Sequence, residues 1–270
     1  AAADGASVGA PNAGESSAAN LAAPDADDAA AAAVDHEGAC AYDTARLAAL
    51  LPEPLPDAHK YSRGKLVVVG GADAYPGAAC LAAAASQRAG AGYTEVRCAP
   101  SSVAQVRSFR PSLVARAWDG LAAEDLAPAR AGRPVAYAVG SGMDAASDAA
   151  AAQTKRLVCL VLKHAHASVL VDGGGLAPLA SEKGRRLLRR LHGWPTVVTP
   201  HAGEAARLAA PLDLPTDDQG RLARLLALAY GVVAVVKGPD TYISDGETLV
   251  CVDEGTPALA KAGTGDVLAG

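Results

Sequence analysis

Short apolar runs alternate with longer amphipathic stretches from residue 65 onward. The short runs are rich in Val and fit buried strands, and the stretches between them place apolar residues at helical spacing. Strands that alternate with helices predict an α/β protein whose mostly parallel sheet has helices on both faces, which is a three-layer α/β/α arrangement. The predicted strands are 65–69, 93–98, 134–139, 168–171, 196–199, 232–236, 241–244 and 248–252, and the predicted helices are 43–51, 77–91, 148–163, 181–192, 203–210 and 217–230.

The first part of the chain has a different composition. Residues 1–40 consist mainly of Ala, Gly, Ser, Asn, Pro and acidic residues, with no Lys or Arg. Such a stretch buries too little apolar surface to offset the entropy of ordering. We therefore expect residues 1–42 to be a disordered, Ala-rich tail or linker and residues 43–270 to be one domain. The last residues predict a loop that enters a helix and stops after one turn, so we expect C-terminal helices of this domain to be missing.

Composition narrows the class of protein further. Hydrophobic residues make up 50% of the chain and aromatic residues only 4%, so Ala, Val and Leu must fill the core. The net charge is −5, and its excess of acid lies in residues 1–40, so the rest shows no clustered basic charge and we expect no nucleic-acid partner. No apolar run reaches the roughly 18 residues of a membrane span. Five cysteines without a C-x-x-C motif predict free thiols in the reducing cytoplasm.

Residues that could take part in binding or catalysis follow the predicted strands. Gly70, Gly140, Asp172, His201 and Lys237 each lie at or just beyond a strand's carboxyl end. In open α/β sheets, ligands bind in the crevice at those ends. The sequence therefore predicts a single cleft to which five strand ends contribute.

Asp266 lies at the start of the last predicted helix, after Gly263 and Gly265. Small residues and a helix N-terminus suit a phosphate, whereas a carboxylate there repels it. Asp266 either accepts a proton from an attacking hydroxyl during phosphoryl transfer or only caps the helix. Lys237 either holds a nucleotide phosphate or is a solvated turn residue.

Other positions also leave two interpretations open. Ala78 and Ala79 form either a flat wall for a large ligand or ordinary small-residue packing. His201 is either a ligand contact or a hydrogen-bonded loop residue. Asp172 binds Mg²⁺ through water or a substrate hydroxyl, and the glycines after it weigh against a purely structural role. No metal ligand set is readable from the sequence.

Taken together, these motifs resemble those of the ADP- or ATP-dependent NAD(P)H-hydrate dehydratases, which belong to the ribokinase-like superfamily. The resemblance covers about residues 59–270. The individual segments are weak signals, but their order along the chain is specific. The matching segments are 59–64, 65–79, 87–92, 139–142, 171–176, 198–204, 236–241 and 258–270.

The resemblance implies a ribokinase-like fold and a role in metabolite repair. Family members restore NADH and NADPH from NADHX and NADPHX, whose nicotinamide ring is hydrated. A nucleotide phosphorylates the ring hydroxyl, and phosphate then leaves by elimination. Mg²⁺ and ADP (or ATP) are the implied cofactors, with ADP favoured. The resemblance also implies a homo-oligomer, with a tetramer as one form, and an N-terminal NAD(P)HX epimerase domain fused to some relatives.

The resemblance also assigns roles to individual residues. Asp266 would be the base that deprotonates the ring hydroxyl. The N–H groups of Ala262, Gly263 and Gly265 would form an anion hole. The adenine nucleotide would be held by Lys237, Gly238, Pro239, Asp240, Thr241 and Gly265. The hydrated cofactor would be contacted by Ala79 or its neighbour Ala78, and by Gly140, His201 and Asp266.

Several positions depart from the family pattern. Tyr61 and Ala262 stand where Gly is common in relatives, Ala202 stands where Pro is frequent, and Thr256 starts an unusual pair in the nucleotide region. Two other functions remain as alternatives. One is a small-alcohol kinase of the same superfamily, which would release a stable phosphorylated product. The other is a non-catalytic nucleotide-binding protein.

Overall fold

A mixed β-sheet organises the domain. The computed structural model describes residues 34–35, 39–40, 44–51, 53–126, 132–143, 145–189 and 193–270, all within one unit, Ala32–Gly270. Among these residues eleven strands form the sheet, in the order β1-β2-β11-β10-β9-β8-β7-β6-β3-β4-β5. The strands are β1 Val34–Asp35, β2 Ala39–Cys40, β3 Lys65–Val69, β4 Tyr93–Cys98, β5 Val114–Ala117, β6 Val135–Val139, β7 Ser168–Val171, β8 Thr196–Val198, β9 Val233–Val236, β10 Thr241–Ser244 and β11 Leu249–Val252.

The centre of the sheet is parallel. Each neighbouring pair from β5 through β4, β3, β6, β7 and β8 to β9 runs in the same direction. The hairpin of β10 and β11 adds two antiparallel strands beyond β9, and β2 then pairs with β11 in parallel. Seven parallel strands therefore have their carboxyl ends at one edge, where the sequence predicts the cleft.

Helices cover both faces of the sheet. The described α-helices are α1 Thr44–Ala49, α2 Pro76–Ala89, α3 Val103–Phe109, α4 Asp148–His164, α5 Glu182–Leu188, α6 Ala202–Ala209, α7 Gln219–Tyr230 and α8 Thr264–Ala269. Short 3₁₀ turns occupy Pro100–Ser102, Ala123–Leu126, Gly173–Ala180, Ala210–Leu212 and Pro257–Leu259. Helices α2, α3 and α8 lie on one face, and α4 to α7 pack against the other.

The alternation of side chains along each strand separates two cores. In β3, Val68 packs with α2 and α3, whereas Val67 and Val69 belong to the larger core beneath α4 to α7. Successive strand residues point to opposite faces, so a continuous run of valines supplies both cores. The α/β/α prediction with a mostly parallel sheet is therefore confirmed.

Most predicted elements exist within one or two residues of their predicted bounds, but some were missed. Helix α3 and strand β5 were not predicted. Helix α5 ends at Leu188, and residues 190–192 of the predicted helix lie outside the described residues. Within the stretch expected to be a tail, the structure describes β1 and β2. The remainder of residues 1–42 lies outside the described residues, so the tail stays a prediction there.

One apolar row on the α2 face of the sheet is only half-buried. It comprises Leu170, Val197, Val235 and Ile243, which lie on adjacent strands. The expectation that further helices complete this domain stays a prediction. Among the described residues, no helix has the length and apolar character needed to cross a membrane.

Candidate functional site

The first residue after each of four neighbouring strands lies on the same side of the sheet. The last residues of β6, β7, β8 and β9 are all valines of the larger core. Because side chains alternate, the next residue of each strand points toward the α2 and α8 side. These next residues are Gly140, Asp172, Thr199 and Lys237.

Asp172 is the centre of the polar contacts at this edge. Its Oδ1 lies 2.8 Å from the Lys237 ammonium and accepts a hydrogen bond of 2.7 Å from the Thr199 hydroxyl. The Asp172 side chain is only 6% exposed and that of Lys237 20%. The Lys237 ammonium and the Thr199 hydroxyl replace hydrogen bonds that this carboxylate would otherwise make with water.

Asp266 lies in the first turn of α8, where the charges of Asp172 and Lys237 affect its pKa. Burial and the negative charge of Asp172 raise the pKa of its carboxyl above the usual aspartate value, and a hydrogen bond with Ser141 and the charge of Lys237 only partly oppose this. A carboxylate with a raised pKa is a stronger base than an ordinary aspartate. The structure thus brings Asp172, Lys237 and Asp266 together.

The start of α8 is shaped by glycine. Gly263 is the N-cap, with φ at +93°, a conformation that favours glycine. A Cβ placed on Gly265 would lie 3.4 Å from the Lys237 Nζ, so the ammonium rests directly against the first turn. Ala262 is exposed just before this turn. A helix N-terminus beside a lysine ammonium is positively polarised and suits a phosphate.

The segment Lys237–Thr241 turns directly into β10. The backbone N–H of Lys237 donates to the Pro200 carbonyl, which ties this turn to the end of β8. Gly238 packs so closely that a Cβ would lie 2.7 Å from Gln219 Oε1, and Thr241 donates to the Gly238 carbonyl. The predicted nucleotide residues thus form one partly exposed turn beside α8.

Glycine-rich loops after β3 and β6 form the other side of the site. Gly71 donates its N–H to the Ser141 carbonyl, which joins the two loops. Gly140 has φ at +125°, and a Cβ there would lie 1.8 Å from the Asp172 carbonyl oxygen. Ala79 is fully buried against Gly71, whereas its neighbour Ala78 is half-buried. Of the two alanines, Ala78 is therefore the one that a ligand can touch.

His201 caps helix α6. Its Nδ1 accepts a hydrogen bond from the Gly203 N–H, and its own N–H donates to Glu204 Oε2, which is a reciprocal capping box. The side chain is still 58% exposed, and residue 201 pairs with Lys237 in an isolated parallel bridge. Capping thus explains Glu204, while a ligand contact by His201 stays a prediction.

Two polar residues of the site were not singled out from the sequence. Thr199 donates a hydrogen bond to Asp172, and Ser141 interacts with the Asp266 carboxyl and lowers its pKa. Thr199 follows its strand in the same way as Asp172 and Lys237 follow theirs, so this shared position is the signal that could have identified it. Ser141 carries no such signal, because its contact depends on where α8 packs.

The described residues hold no cluster of three or more His, Cys, Asp or Glu that could bind a metal ion. Mg²⁺ generally keeps several waters and binds substrate phosphates together with one or two protein carboxylates. Asp172 and Asp266 are two carboxylates that lie close together at this site.

Comparison with known proteins agrees with this geometry. Residues 66–270 match the family described as NAD(P)H-hydrate dehydratase. The chain is 37% identical over 237 residues to the bifunctional NAD(P)H-hydrate repair enzyme Nnr of Mycobacterium tuberculosis, covering 87% of this chain and 45% of the relative. It thus spans about half the length of the curated relatives it matches first.

Solved structures give the same picture. A ribokinase-like superfamily protein of Enterococcus faecalis superposes with a TM-score of 0.70 at 21% identity, covering 88% of this chain and 79% of that one. The ADP/ATP-dependent NAD(P)H-hydrate dehydratase of Bacillus subtilis, co-crystallised with ATP and Mg²⁺, superposes with a TM-score of 0.68 at 26% identity, covering 87% and 79%. The ribokinase-like fold is confirmed, and the chain belongs to the NAD(P)H-hydrate dehydratase family.

Proposed function

We propose that this chain catalyses the nucleotide-dependent dehydration of NADHX and NADPHX to NADH and NADPH. The observation that supports this proposal most directly is the position of Asp266. It is a carboxylate with a raised pKa at the start of α8, next to the Asp172–Lys237 ion pair. A base, a cation and a helix N-terminus together are the groups that phosphoryl transfer to a hydroxyl requires.

Each group has a defined task in the reaction. Asp266 accepts the proton of the ring hydroxyl as that oxygen bonds to the terminal phosphorus of the nucleotide. The bond between that phosphorus and its bridging oxygen breaks, so ADP leaves AMP. The N–H groups of Ala262, Gly263 and Gly265 and the Lys237 ammonium stabilise negative charge on the transferred group. Phosphate then leaves together with a ring proton, and the dihydronicotinamide double bond returns.

The two ligands are assigned to different loops at the strand ends. The turn formed by Lys237, Gly238, Pro239, Asp240 and Thr241 holds the adenine nucleotide, with Gly265 beside its phosphates. The loops with Gly140 and Ala78 receive the hydrated cofactor, whose bulk requires small residues, and His201 contacts it from α6. Mg²⁺ bound with the nucleotide would offset the negative charge of the phosphates, and Asp172 and Asp266 would be the carboxylates near it.

Our proposal also covers other properties of the whole protein. The relative from Mycobacterium tuberculosis is called bifunctional, which supports a longer parent protein with an N-terminal NAD(P)HX epimerase domain. We further propose ADP as the preferred donor, a homo-oligomer, and a cytoplasmic location, the last because Cys80, Cys98 and Cys159 form no disulfide.

The test is the recovery of dihydronicotinamide absorbance from NADHX or NADPHX with Mg²⁺ and either ADP or ATP. The chain and a longer parent protein are assayed side by side, and phosphate release is measured in the same samples. Recovery with equal release of phosphate is the expected result, faster with ADP. A stable phosphorylated product without recovery would favour the small-alcohol kinase. Nucleotide binding without any turnover in either protein would favour a binding-only protein.

A further inference from the structure

The residues after three adjacent strands meet at one oxygen atom, which belongs to Asp172. Asp172 follows β7, Thr199 follows β8 and Lys237 follows β9. The Thr199 Oγ1 and the Lys237 Nζ lie 2.7 Å and 2.8 Å from the same atom, Oδ1 of Asp172. Both are donors, so the shared oxygen accepts two hydrogen bonds, one of them charge-assisted.

The carboxylate itself has little freedom to move. The Asp172 N–H donates to the Val139 carbonyl, and its own carbonyl accepts from the Gly175 N–H. That carbonyl also packs against the Cα of Gly140, where no side chain fits. Thr199 is 3% exposed, so water does not compete for its hydroxyl. Backbone and hydroxyl together therefore fix the direction in which Oδ1 points.

This rigidity matters for the lysine. A lysine side chain has four flexible carbons with high rotamer entropy, so an unpaired ammonium samples many positions. Here the ammonium lies against Gly265 in the first turn of α8. The ion pair with Asp172 holds it there before any ligand arrives.

We propose that Thr199 and Asp172 form a positioning pair that holds the Lys237 ammonium at the first turn of α8, ready for the phosphate oxygens of a nucleoside diphosphate or triphosphate. Neither residue of the pair touches the reacting atoms through this role. The pair acts by removing the cost of ordering the lysine, and its effect is largest on the transferred phosphoryl group. The inference rests on the proposed function for its kinetic consequence but not for its binding consequence.

The test compares three variants of strand β8 and its end. Thr199→Val removes the hydroxyl at nearly constant volume, and Thr199→Ser keeps it. Thr196→Val is the matched control, because Thr196 lies on the same strand and its buried hydroxyl has no hydrogen-bond partner in the described structure. Melting temperatures are recorded first, and all assays run well below the lowest of them.

Two readouts separate positioning from a merely structural role. The first is the affinity for ADP relative to adenosine, by calorimetry. We expect Thr199→Val to weaken ADP binding about tenfold, which corresponds to about 1.4 kcal/mol, with adenosine binding unchanged. The second is turnover of the hydrated cofactor, where we expect a kcat about tenfold lower and an unchanged KM for that cofactor. Thr199→Ser restores both quantities, and Thr196→Val changes neither.

Other results would overturn the inference. Equal losses for ADP and adenosine would mean that Thr199 only supports the fold. Equal behaviour of the Thr199→Val and Thr196→Val proteins would mean that the hydroxyl has no role. A wild-type protein that binds ADP no better than adenosine would show that Lys237 holds no phosphate. If the wild-type protein binds ADP but does not dehydrate NADHX, the proposed activity fails, and the binding comparison alone decides on the positioning pair.

Discussion

The ammonium of Lys237 lies 2.8 Å from Oδ1 of Asp172, although 65 residues separate the two along the chain. Their strands, β9 and β7, are not neighbours, since β8 lies between them. The contact exists because parallel strands end at one edge of the sheet and because Lys237 is long enough to reach across β8. This ion pair joins the ends of β7 and β9, and it also holds the Lys237 ammonium at the first turn of α8, where the proposed reaction takes place.

Replacing Asp266 with Asn should remove catalysis and leave nucleotide binding intact. The amide is nearly isosteric but cannot accept the hydroxyl proton, and a general base typically contributes 10²- to 10⁴-fold. We expect kcat to fall by about that factor while ADP affinity stays within about twofold of wild type. Stopped assays of NADHX recovery and calorimetry with ADP measure the two quantities. Asp119→Asn, at an exposed loop residue, is the control and should match wild type. Substantial residual turnover in the Asp266→Asn protein would contradict the assignment.

The pH dependence of the reaction should reflect the environment of Asp266. Burial and the charge of Asp172 raise its pKa, so the acid limb of kcat/KM should lie above about pH 3.9, the value for an ordinary aspartate. Removing the neighbouring charge by Asp172→Asn should lower this pKa and move the acid limb to lower pH, with a lower maximal rate. Profiles of both proteins between pH 4 and 9 test this. An unmoved acid limb would show that Asp172 does not act on the base.

The same shift has a consequence for stability. A carboxyl whose pKa is raised in the folded state binds its proton more tightly there than in the unfolded chain, so the stability it contributes is present at low pH and is lost as the pH rises through its folded pKa. Asp266→Asn should therefore be more stable than wild type at pH 7, and the difference should shrink toward pH 4. Denaturant unfolding at both pH values measures it. A variant less stable than wild type at pH 7 would argue against a destabilised charge.

Gly140 should tolerate no side chain. A Cβ there would lie 1.8 Å from the Asp172 carbonyl oxygen, and the φ of +125° adds strain. We expect Gly140→Ala to lower the free energy of unfolding by about 3 kcal/mol or more. Gly120→Ala is the matched control, because a Cβ on Gly120 meets nothing within 4 Å. It should be neutral or slightly stabilising. Equal stability of the two variants in urea would refute the close contact.

Glu95 should stabilise the sheet at strands β3 and β4. It is 4% exposed, and its carboxylate lies 2.7 Å from Lys65 Nζ and 2.6 Å from Arg97 Nε. Burial alone would raise the pKa of Glu95, but Lys65 and Arg97 outweigh it and lower the pKa. This stabilisation is present above the unfolded pKa near 4.3 and is lost as the pH falls through the folded pKa.

Glu95→Gln removes this charge at nearly constant shape. It should cost about 2 kcal/mol at pH 7, since Lys65 stays partly solvated and softens the loss, and less at pH 3. Glu182→Gln serves as the control, because Glu182 and Arg186 form an exposed ion pair on α5. Its effect should stay within about 0.5 kcal/mol. Urea titrations at both pH values compare them, and equal costs for the two substitutions would contradict the role of burial.

The elements missed from the sequence have a common physical reason. Helix α3 begins after a 3₁₀ turn and places only Val106 fully in the core, so its apolar pattern is short. Strand β5 alternates Val, Ala and Arg at the sheet's edge, where burial depends on which strand lies beside it. Long valine runs such as β3 were predictable because their burial on both faces leaves no competing pattern.

The alternation of strands and helices could be predicted from the chain's local pattern, and residue type made Asp172, Lys237 and Asp266 candidates for the site. Each of these depends on local pattern and on residue type. Contacts between distant elements add Thr199 and Ser141 to this group, bury Ala79 while leaving Ala78 partly exposed, and leave no room for a side chain at Gly140. Those facts depend on which strands and helices lie side by side, and contacts across many residues leave no mark in the local pattern.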